Sequence, residues 1–313
     1  MGDVVHALPL AVDIAHALPA AHIDWLCEEA FAAIPALSRH VGEVHRVALR
    51  RWRKRPFDTA VWREVRIAKN ALRAAHYDVA LDVQGLAKSA WLARWTGAEV
   101  AGFNSSTARE GLAARFYQRR FEVPRSLHAI ERCRQLGAAA LGYTITGAPR
   151  FGIALNTAPA SDTSEKAAVL LVNASRATKL WGEEGWLAVE RWLAQQGMAS
   201  ALFCGSAAER SRSELLASRM QRATVHPPSS LASIAATLST APIVIGLDTG
   251  LTHLAAALGR PTVGIFCDYD PALVGLTADG DAGNIVASVG SAMAAPSAGE
   301  VIDAAMRVID RKQ

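Results

Sequence analysis

Short apolar runs alternate with segments of helical periodicity along most of the chain. Strand candidates in the first half are residues 22–26, 43–48, 79–83 and 100–102, and in the second half 168–173, 199–204, 243–246 and 262–266. Regular alternation of strands with helices predicts an α/β fold with parallel sheets, because each crossover helix returns the chain to the same edge.

The segment 147–166 is rich in Pro, Ser, Thr and Ala and has weak periodicity, which is typical of a linker. We therefore predict a first domain over 1–150, a linker over 151–166 and a second domain over 167–295. The end of the chain, 296–313, is predicted to be an amphipathic helix. Its apolar face consists of Val301, Ile302, Ala305 and Val308.

The start of the chain departs from the usual order of a doubly wound domain. A helical pattern follows Gly2-Asp3 at once, where a central strand would normally come first. Either the chain begins late relative to a longer protein, or the first sheet closes without its central strand. We expect the first strand to be missing.

The most informative segment is Gly246–Phe266, GLDTGLTHLAAALGRPTVGIF. It predicts a strand, a glycine turn at Asp248-Thr249-Gly250, a short helix carrying His253, and a second strand. Free N–H groups and the positive dipole end of such a helix favour an anion, so a phosphorylated sugar is one interpretation. The alternative is an ordinary turn with a capping Thr249 and a surface histidine.

Two further turns of the second half follow strands. In the first, Ser175 could donate to a phosphate oxygen and Lys179 could face a pyrophosphate, or the loop is merely polar. In the second, Glu209 could accept from ribose hydroxyls, or it is a first-turn residue favoured by the helix dipole. Ligands of open α/β sheets bind at the carboxyl ends of strands, where these turns would meet.

Charge is uneven along the chain. The first 150 residues hold 21 Lys and Arg against 14 Asp and Glu, whereas the remainder holds 12 against 15. The densest run contains Arg50, Arg51, Arg53 and Lys54, which favours an anionic lipid or acidic sugar as partner, with a solvated loop as the alternative. No nucleic-acid-binding module is recognisable, so nucleic acid is not predicted.

Three other polar positions of the first half are candidates. Asp3 could be a general base at a strand-to-helix turn, or the N-cap of the first helix. Lys88 and Arg109 could hold carboxylates or phosphates of an acceptor, or be surface cations.

Composition excludes several classes. No apolar run reaches the roughly 18 residues that a membrane span needs. The 4 cysteines are far apart and form no CxxC pair, so neither a zinc site nor a disulfide framework is predicted.

The motifs DTGLTHLAAALGRPTVGIF, MGDVVHALP, RRWRK, DVQGLAKSA and STAREGLAARFY together resemble the ADP-heptose lipopolysaccharide heptosyltransferases of glycosyltransferase family 9. The resemblance covers almost the whole chain. It implies a GT-B fold of two Rossmann-like domains facing a cleft, an inverting reaction, and neither metal nor cofactor. It also implies ADP-heptose as donor and Kdo₂-lipid A as acceptor, at the anionic cytoplasmic face of the inner membrane.

The resemblance also assigns residues. It places Asp3 on the catalytic carboxylate, with Lys179 as a second catalytic group. The donor-site residues that the resemblance implies are Lys179, Glu209, Asp248, Thr249, Gly250 and His253, and the phosphate contact inferred above adds Ser175. From their charge, we assign the acceptor site to Arg50, Arg51, Arg53, Lys54, Lys88 and Arg109.

The chain departs from the family pattern in two loops. Ala174-Ser175 replaces a pair of hydroxyl residues, and Cys267-Asp268-Tyr269-Asp270-Pro271 replaces Gly-Pro-Thr-Asp-Pro. Transfer of the second heptose or another GT-B transfer is the nearest alternative function. An inactive nucleotide-sugar-binding protein and a sugar-nucleotide epimerase are the others.

Overall fold

A computed structural model describes residues 1–155, 167–280 and 285–311. The chain divides into two compact units, which we call the N-terminal unit (His6–Gly147) and the C-terminal unit (Met1–Val5 with Ala148–Gln313). The division falls close to the predicted end of the first domain, but it groups the first five residues with the second half. Most of the predicted linker lies outside the described residues.

The N-terminal unit contains five strands, four complete α-helices and most of a fifth, whose first residues belong to the C-terminal unit. The strands are β1 (Trp25–Glu28), β2 (Val44–Val47), β3 (Val79–Asp82), β4 (Glu99–Phe103) and β5 (Arg119–Phe121). The helices are α1 (Gly2–Ala17), α2 (Leu49–Trp52), α3 (Thr59–Ala74), α4 (Ala87–Ala93) and α5 (Ala129–Leu141).

These strands form two separate parallel sheets, β1-β2 and β3-β4-β5. Within the described residues no strand joins the two. α1 packs tightly on α5, since a Cβ on Gly137 would overlap the side chain of Leu10. The buried guanidinium of Arg134 also donates from Nε to Asp13 Oδ2 at 2.7 Å, which locks α5 to α1.

The C-terminal unit is built on one parallel sheet of six strands. They are β6 (Ala168–Leu171), β7 (Ser200–Leu202), β8 (Ala223–Val225), β9 (Val244–Leu247), β10 (Thr262–Phe266) and β11 (Val286–Gly290). The helices are α6 (Glu183–Gln195), α7 (Ala207–Ala217), α8 (Leu231–Thr240), α9 (Gly250–Ala257), α10 (Pro271–Val274) and α11 (Ala298–Asp310).

The order of this sheet is β11-β10-β9-β6-β7-β8. From β6 the chain first builds outward on one side and then returns to build the other side from β9. The topological switch point therefore lies between β6 and β9, and the turns after these two strands meet at one edge.

The α/β class with parallel sheets is confirmed, and each predicted strand overlaps an observed one. β5, β8 and β11 were not predicted. β5 and β8 are three residues long and lie at sheet edges, so no apolar run marks them. β11 is a half-buried edge strand in the mostly apolar run 285–289, which the sequence analysis did not assign.

The predicted C-terminal helix is α11. Val301, Ala305 and Val308 are buried in the core of the C-terminal unit, and Ile302 packs beside them. Among the described residues, no helix has both the length and the apolarity needed to cross a bilayer.

Candidate active site

Three ionisable side chains, those of Lys179, Asp248 and His253, converge at the switch point of the C-terminal unit. Asp248 follows β9, and its carboxylate accepts from Lys179 Nζ and lies 3.1 Å from His253 Nε2. Lys179 also donates to the Asp248 carbonyl oxygen at 3.1 Å. All three side chains are largely buried. Lys179 and Asp248, which are 69 positions apart in sequence, thus contact each other at the carboxyl end of the sheet.

The charge state of this cluster follows from its contacts. Burial works to raise the pKa of Asp248, but hydrogen bonds and charges from His253 and Lys179 outweigh it and hold the pKa at about 2. Asp248 is therefore ionised at neutral pH, and it fixes the position of the Lys179 ammonium group.

Helix α9 begins directly after this aspartate. Gly250 is its first residue and Thr249 its N-cap, with extended backbone. In this turn, which lies within the described residues, the Thr249 side chain accepts no hydrogen bond from the first N–H groups of the helix. Its hydroxyl instead lies 3.2 Å from the hydroxyl of Thr252. The first-turn N–H groups of α9 are therefore not closed off by a capping side chain.

The start of the chain lies against α9. A Cβ on Gly250 would overlap the side chain of Met1, and a Cβ on Gly2 would lie 3.9 Å from His253 Cδ2. Asp3 follows in the first turn of α1, and its side chain is exposed. Within the C-terminal unit, Asp3 is thus on the segment that contacts the beginning of α9.

The loop after β6 carries Ser175 and ends in a single 3₁₀ turn at Ala177–Lys179. Ser175 is exposed. Asp268, in the loop after β10, accepts from the Thr178 hydroxyl at 2.6 Å and lies 3.4 Å from Arg176. The unusual loop after Phe266 therefore holds the segment that carries Lys179, a contact that the sequence did not reveal.

Glu209 lies in the first turn of α7, after β7, and forms a capping box with Ser206. Glu209 Oε2 accepts from the backbone N–H groups of Gly205 at 2.7 Å and Ser206 at 3.2 Å, and Ser206 Oγ accepts from the N–H of Glu209. This geometry corresponds to the first-turn alternative. Because β7 adjoins β6, Glu209 still lies at the same edge of the sheet as the switch point.

In the N-terminal unit, Lys88 is exposed in the first turn of α4, and Arg109 is exposed in the loop after β4. The carboxylate of Glu110 accepts from the N–H of Ala87 at 2.8 Å, and the backbone N–H of Glu110 donates to the carbonyl of Gly85 at 2.9 Å. The start of α4 and the loop after β4 follow the neighbouring strands β3 and β4. The structure therefore brings the segments that carry the two cations together.

A buried carboxylate that the sequence did not single out holds the first of these loops. Asp82 accepts from the hydroxyls of Tyr117 at 2.6 Å and Ser89 at 2.8 Å, and from the N–H of Gln84 at 3.0 Å. Burial raises the pKa of Asp82, although its hydrogen bonds work in the opposite direction.

All four basic residues of the run, Arg50, Arg51, Arg53 and Lys54, are exposed. Arg51 also pairs with Glu29 at 3.2 Å and with Glu64 at 2.9 Å, which ties α2 to α3. Because the Arg51 side chain is still 49% exposed, its assignment to the acceptor site stays a prediction.

A possible metal-ligand group lies at the amino ends of β1 and β2. Among the described residues, ligand atoms of Asp24, Glu43 and His45 lie within 4.8 Å of one another. Tyr77 satisfies two of them: its hydroxyl donates to Asp24 at 2.6 Å and lies 2.6 Å from His45 Nε2. Parallel pairing of β1 with β2 creates this cluster, which is why sequence spacing missed it.

Comparison with known proteins defines the class. Residues 65–293 match the model for glycosyltransferase family 9 (heptosyltransferase). The chain belongs to this family and is a glycosyltransferase.

Individual relatives and solved structures show which heptosyltransferases this chain is similar to. Lipopolysaccharide heptosyltransferase 1 of Pseudomonas aeruginosa is 41% identical over 277 residues, covering 88% of this chain and 78% of the relative. The structure of E. coli heptosyltransferase WaaC with ADP matches with a TM-score of 0.88 at 36% identity, over 98% of this chain and 96% of that one. WaaC with ADP-2-deoxy-2-fluoro heptose matches with a TM-score of 0.82 at 34% identity, over 100% and 96%. The predicted family and GT-B fold class are confirmed.

Proposed function

We propose that this chain transfers L-glycero-D-manno-heptose from ADP-heptose to Kdo₂-lipid A, with inversion and without a metal, in lipopolysaccharide inner-core synthesis. The observation that carries the proposal is the Lys179–Asp248–His253 cluster beside the first turn of α9. An ADP-heptose donor presents a pyrophosphate, which an ammonium group and free helix N–H groups recognise. The names of the relatives support the same donor and acceptor class.

In the proposed reaction, Asp3 takes the proton from a Kdo hydroxyl. The resulting oxygen attacks the anomeric carbon of heptose as the bond from that carbon to the ADP oxygen breaks. Asp3 suits this role because it is exposed on the first turn of α1, in the segment that contacts α9. A carboxylate within hydrogen-bond reach of the hydroxyl would supply general-base catalysis.

The departing ADP gains negative charge as the bond breaks. Lys179, the Ser175 hydroxyl and the N–H groups after Gly250 stabilise this charge. Asp248 and His253 position the ammonium group in advance, so little reorganisation is needed when the charge develops. Thr249 and Glu209 complete the donor site, Glu209 by contacting ribose from the edge of its capping box.

The acceptor is assigned to the N-terminal unit. Arg50, Arg51, Arg53, Lys54, Lys88 and Arg109 are exposed cations suited to the carboxylates and phosphates of Kdo₂-lipid A. We place the enzyme peripherally on the anionic cytoplasmic face of the inner membrane, where a lipid-borne acceptor is reached. Nucleic acid has no role in this proposal.

Transfer is tested with purified protein, ADP-heptose and Kdo₂-lipid A, with product detected by mass spectrometry. The matched reaction uses Kdo₂-lipid A that already carries one heptose. Turnover on the first acceptor and not the second is expected. Preference for the second would assign the chain to addition of the next heptose, and ADP binding without any transfer would leave only a nucleotide-sugar-binding protein.

A further inference from the structure

The N-terminal unit has an outward surface in which apolar and basic side chains are mixed. Residues 50–73 contain nine Lys and Arg against two Asp and Glu, whereas the whole chain has a net charge of only +4. Three large apolar side chains in the same segment are exposed: Phe57 at 94%, Trp62 at 62% and Ile67 at 61%. The Trp62 indole contacts the residue before Phe57, whereas Ile67 lies about 140° around α3 from Trp62 and lines a cavity on the other flank of the helix. We call Phe57, Trp62 and the exposed cations Arg55, Arg63 and Arg66 the α3 outer face.

The α3 outer face is held in place by local contacts. Asp58 caps α3 by accepting from the N–H of Ala60 at 2.9 Å, and it lies 3.7 Å from Arg55. The indole N–H of Trp62 donates to the carbonyl of Pro56 at 2.9 Å. These contacts fix the turn on either side of Phe57, so its ring is presented outward by an ordered loop.

The opposite face of α3 packs against the core of the N-terminal unit. Val61 and Leu72 are buried, and Val65 and Ala68 pack against the same core cluster. On the exposed side, Trp62 and Arg66 are four residues apart and therefore lie next to each other on the helix. Arg66 thus places a cation beside the exposed indole ring.

We propose that the α3 outer face docks on an anionic phospholipid bilayer, with Phe57 and Trp62 inserted at the level of the headgroups. The inference deepens the proposed function and rests on it only for the idea of a lipid-borne acceptor. Cations near an anionic leaflet attract the surface, and interfacial aromatic rings bury apolar area while a polar tip stays hydrated. A single exposed apolar side chain is common on protein surfaces, but two neighbouring exposed aromatic rings within a strongly basic segment indicate an interaction surface.

The test measures binding of the whole protein to vesicles of phosphatidylcholine with phosphatidylglycerol, in the absence of any acceptor. The variant is Phe57→Ser with Trp62→Ser. The matched control, Leu215→Ser with Met293→Ser, removes two side chains of nearly the same exposure, 63% and 94%, from the C-terminal unit. We expect the test variant to bind at least about tenfold more weakly, because burying one such side chain is equivalent to one or two tenfold steps in partition. The control should bind like the original chain.

Salt separates insertion from charge attraction. Between about 0.1 M and about 1 M salt the charge contribution is screened. The original chain should retain binding at high salt that the Phe57/Trp62 variant lacks. In addition, lipids brominated near the headgroup should quench fluorescence in the original chain, and Trp62→Phe should remove that quenching.

The proposal would be overturned if the Phe57/Trp62 variant bound vesicles as tightly as the control variant. It would also be overturned if the original chain lost all vesicle binding at high salt. Phe57→Ser alone provides the same test should the double variant fold poorly. Weakened binding to RNA or to an acidic protein, with vesicle binding unchanged, would assign the surface to that partner instead.

The activity assay distinguishes failure of the docking proposal from failure of the proposed function. With an acceptor stripped of its acyl chains, the Phe57/Trp62 variant should show the kcat/KM of the original chain. Absence of transfer by the original chain would refute the proposed function and leave the vesicle result valid.

Discussion

Lys179 is the residue at which the proposed chemistry and the observed geometry can be tested together. Lys179→Ala removes the ammonium group that contacts Asp248 and leaves His253 as the remaining side-chain contact of that carboxylate. If the ammonium group stabilises departing ADP, its loss should reduce kcat by about 10² to 10³, the usual effect of removing one preorganised group at a developing anion. ADP affinity should also fall.

The stability effect can be worked from the pKa of Asp248. Folding lowers this pKa from 3.8 to about 2, which corresponds to roughly 2 kcal/mol of preference for the ionised form. That preference is shared between His253 and Lys179, so Lys179→Ala should lower the free energy of unfolding by on the order of 1 kcal/mol. The carboxylate stabilises the fold above about pH 4, and this contribution is lost as pH falls towards 2. In the variant the loss should begin at higher pH.

Steady-state kinetics, ADP titration and denaturant unfolding at several pH values measure these three effects. Lys179→Arg is the matched control, because it keeps the charge near Asp248 and should preserve stability better than activity. An unchanged kcat/KM for ADP-heptose in Lys179→Ala would remove this residue from the site. A rate loss with an unaltered pH dependence of unfolding would contradict the pairing with Asp248.

The remaining predictions concern the proposed site and the basic run. Asp3→Asn should reduce kcat by about 10² to 10⁴ while ADP binding is retained; full activity in this variant would exclude Asp3 as the base. Converting Arg50, Arg53 and Lys54 to Gln should weaken binding to anionic vesicles by roughly 1 kcal/mol per charge at low salt, without changing ADP affinity. Arg51→Gln should chiefly lower Tm, since its charge is paired with Glu29 and Glu64. EDTA should leave transfer intact, and activity that is lost with EDTA and restored by magnesium would show that a metal takes part.

The local pattern of the sequence determined much of the fold. Apolar runs such as Thr262–Phe266 are buried strands, and the glycine turn at Gly250 begins a helix as predicted. These features depend on residues close in sequence, where side-chain burial and backbone preference act over a few positions. The edge strands β5 and β8 were missed because at three residues each they are too short for a pattern of their own, and their pairing partners define them.

The composition of the candidate site was decided by tertiary structure. Lys179, Asp248 and His253 were each identified from sequence, but only the adjacency of β6 and β9 makes them one ionic cluster. Asp268 and the Asp24–Glu43–His45 group were missed for the same reason, since each joins loops or strands that are distant along the chain. Arg51 shows the converse: a basic run indicates charge, but only the fold shows that Glu29 and Glu64 already neutralise one of its members. Electrostatic contacts act through space, so the strand order of the folded chain determines which charges meet.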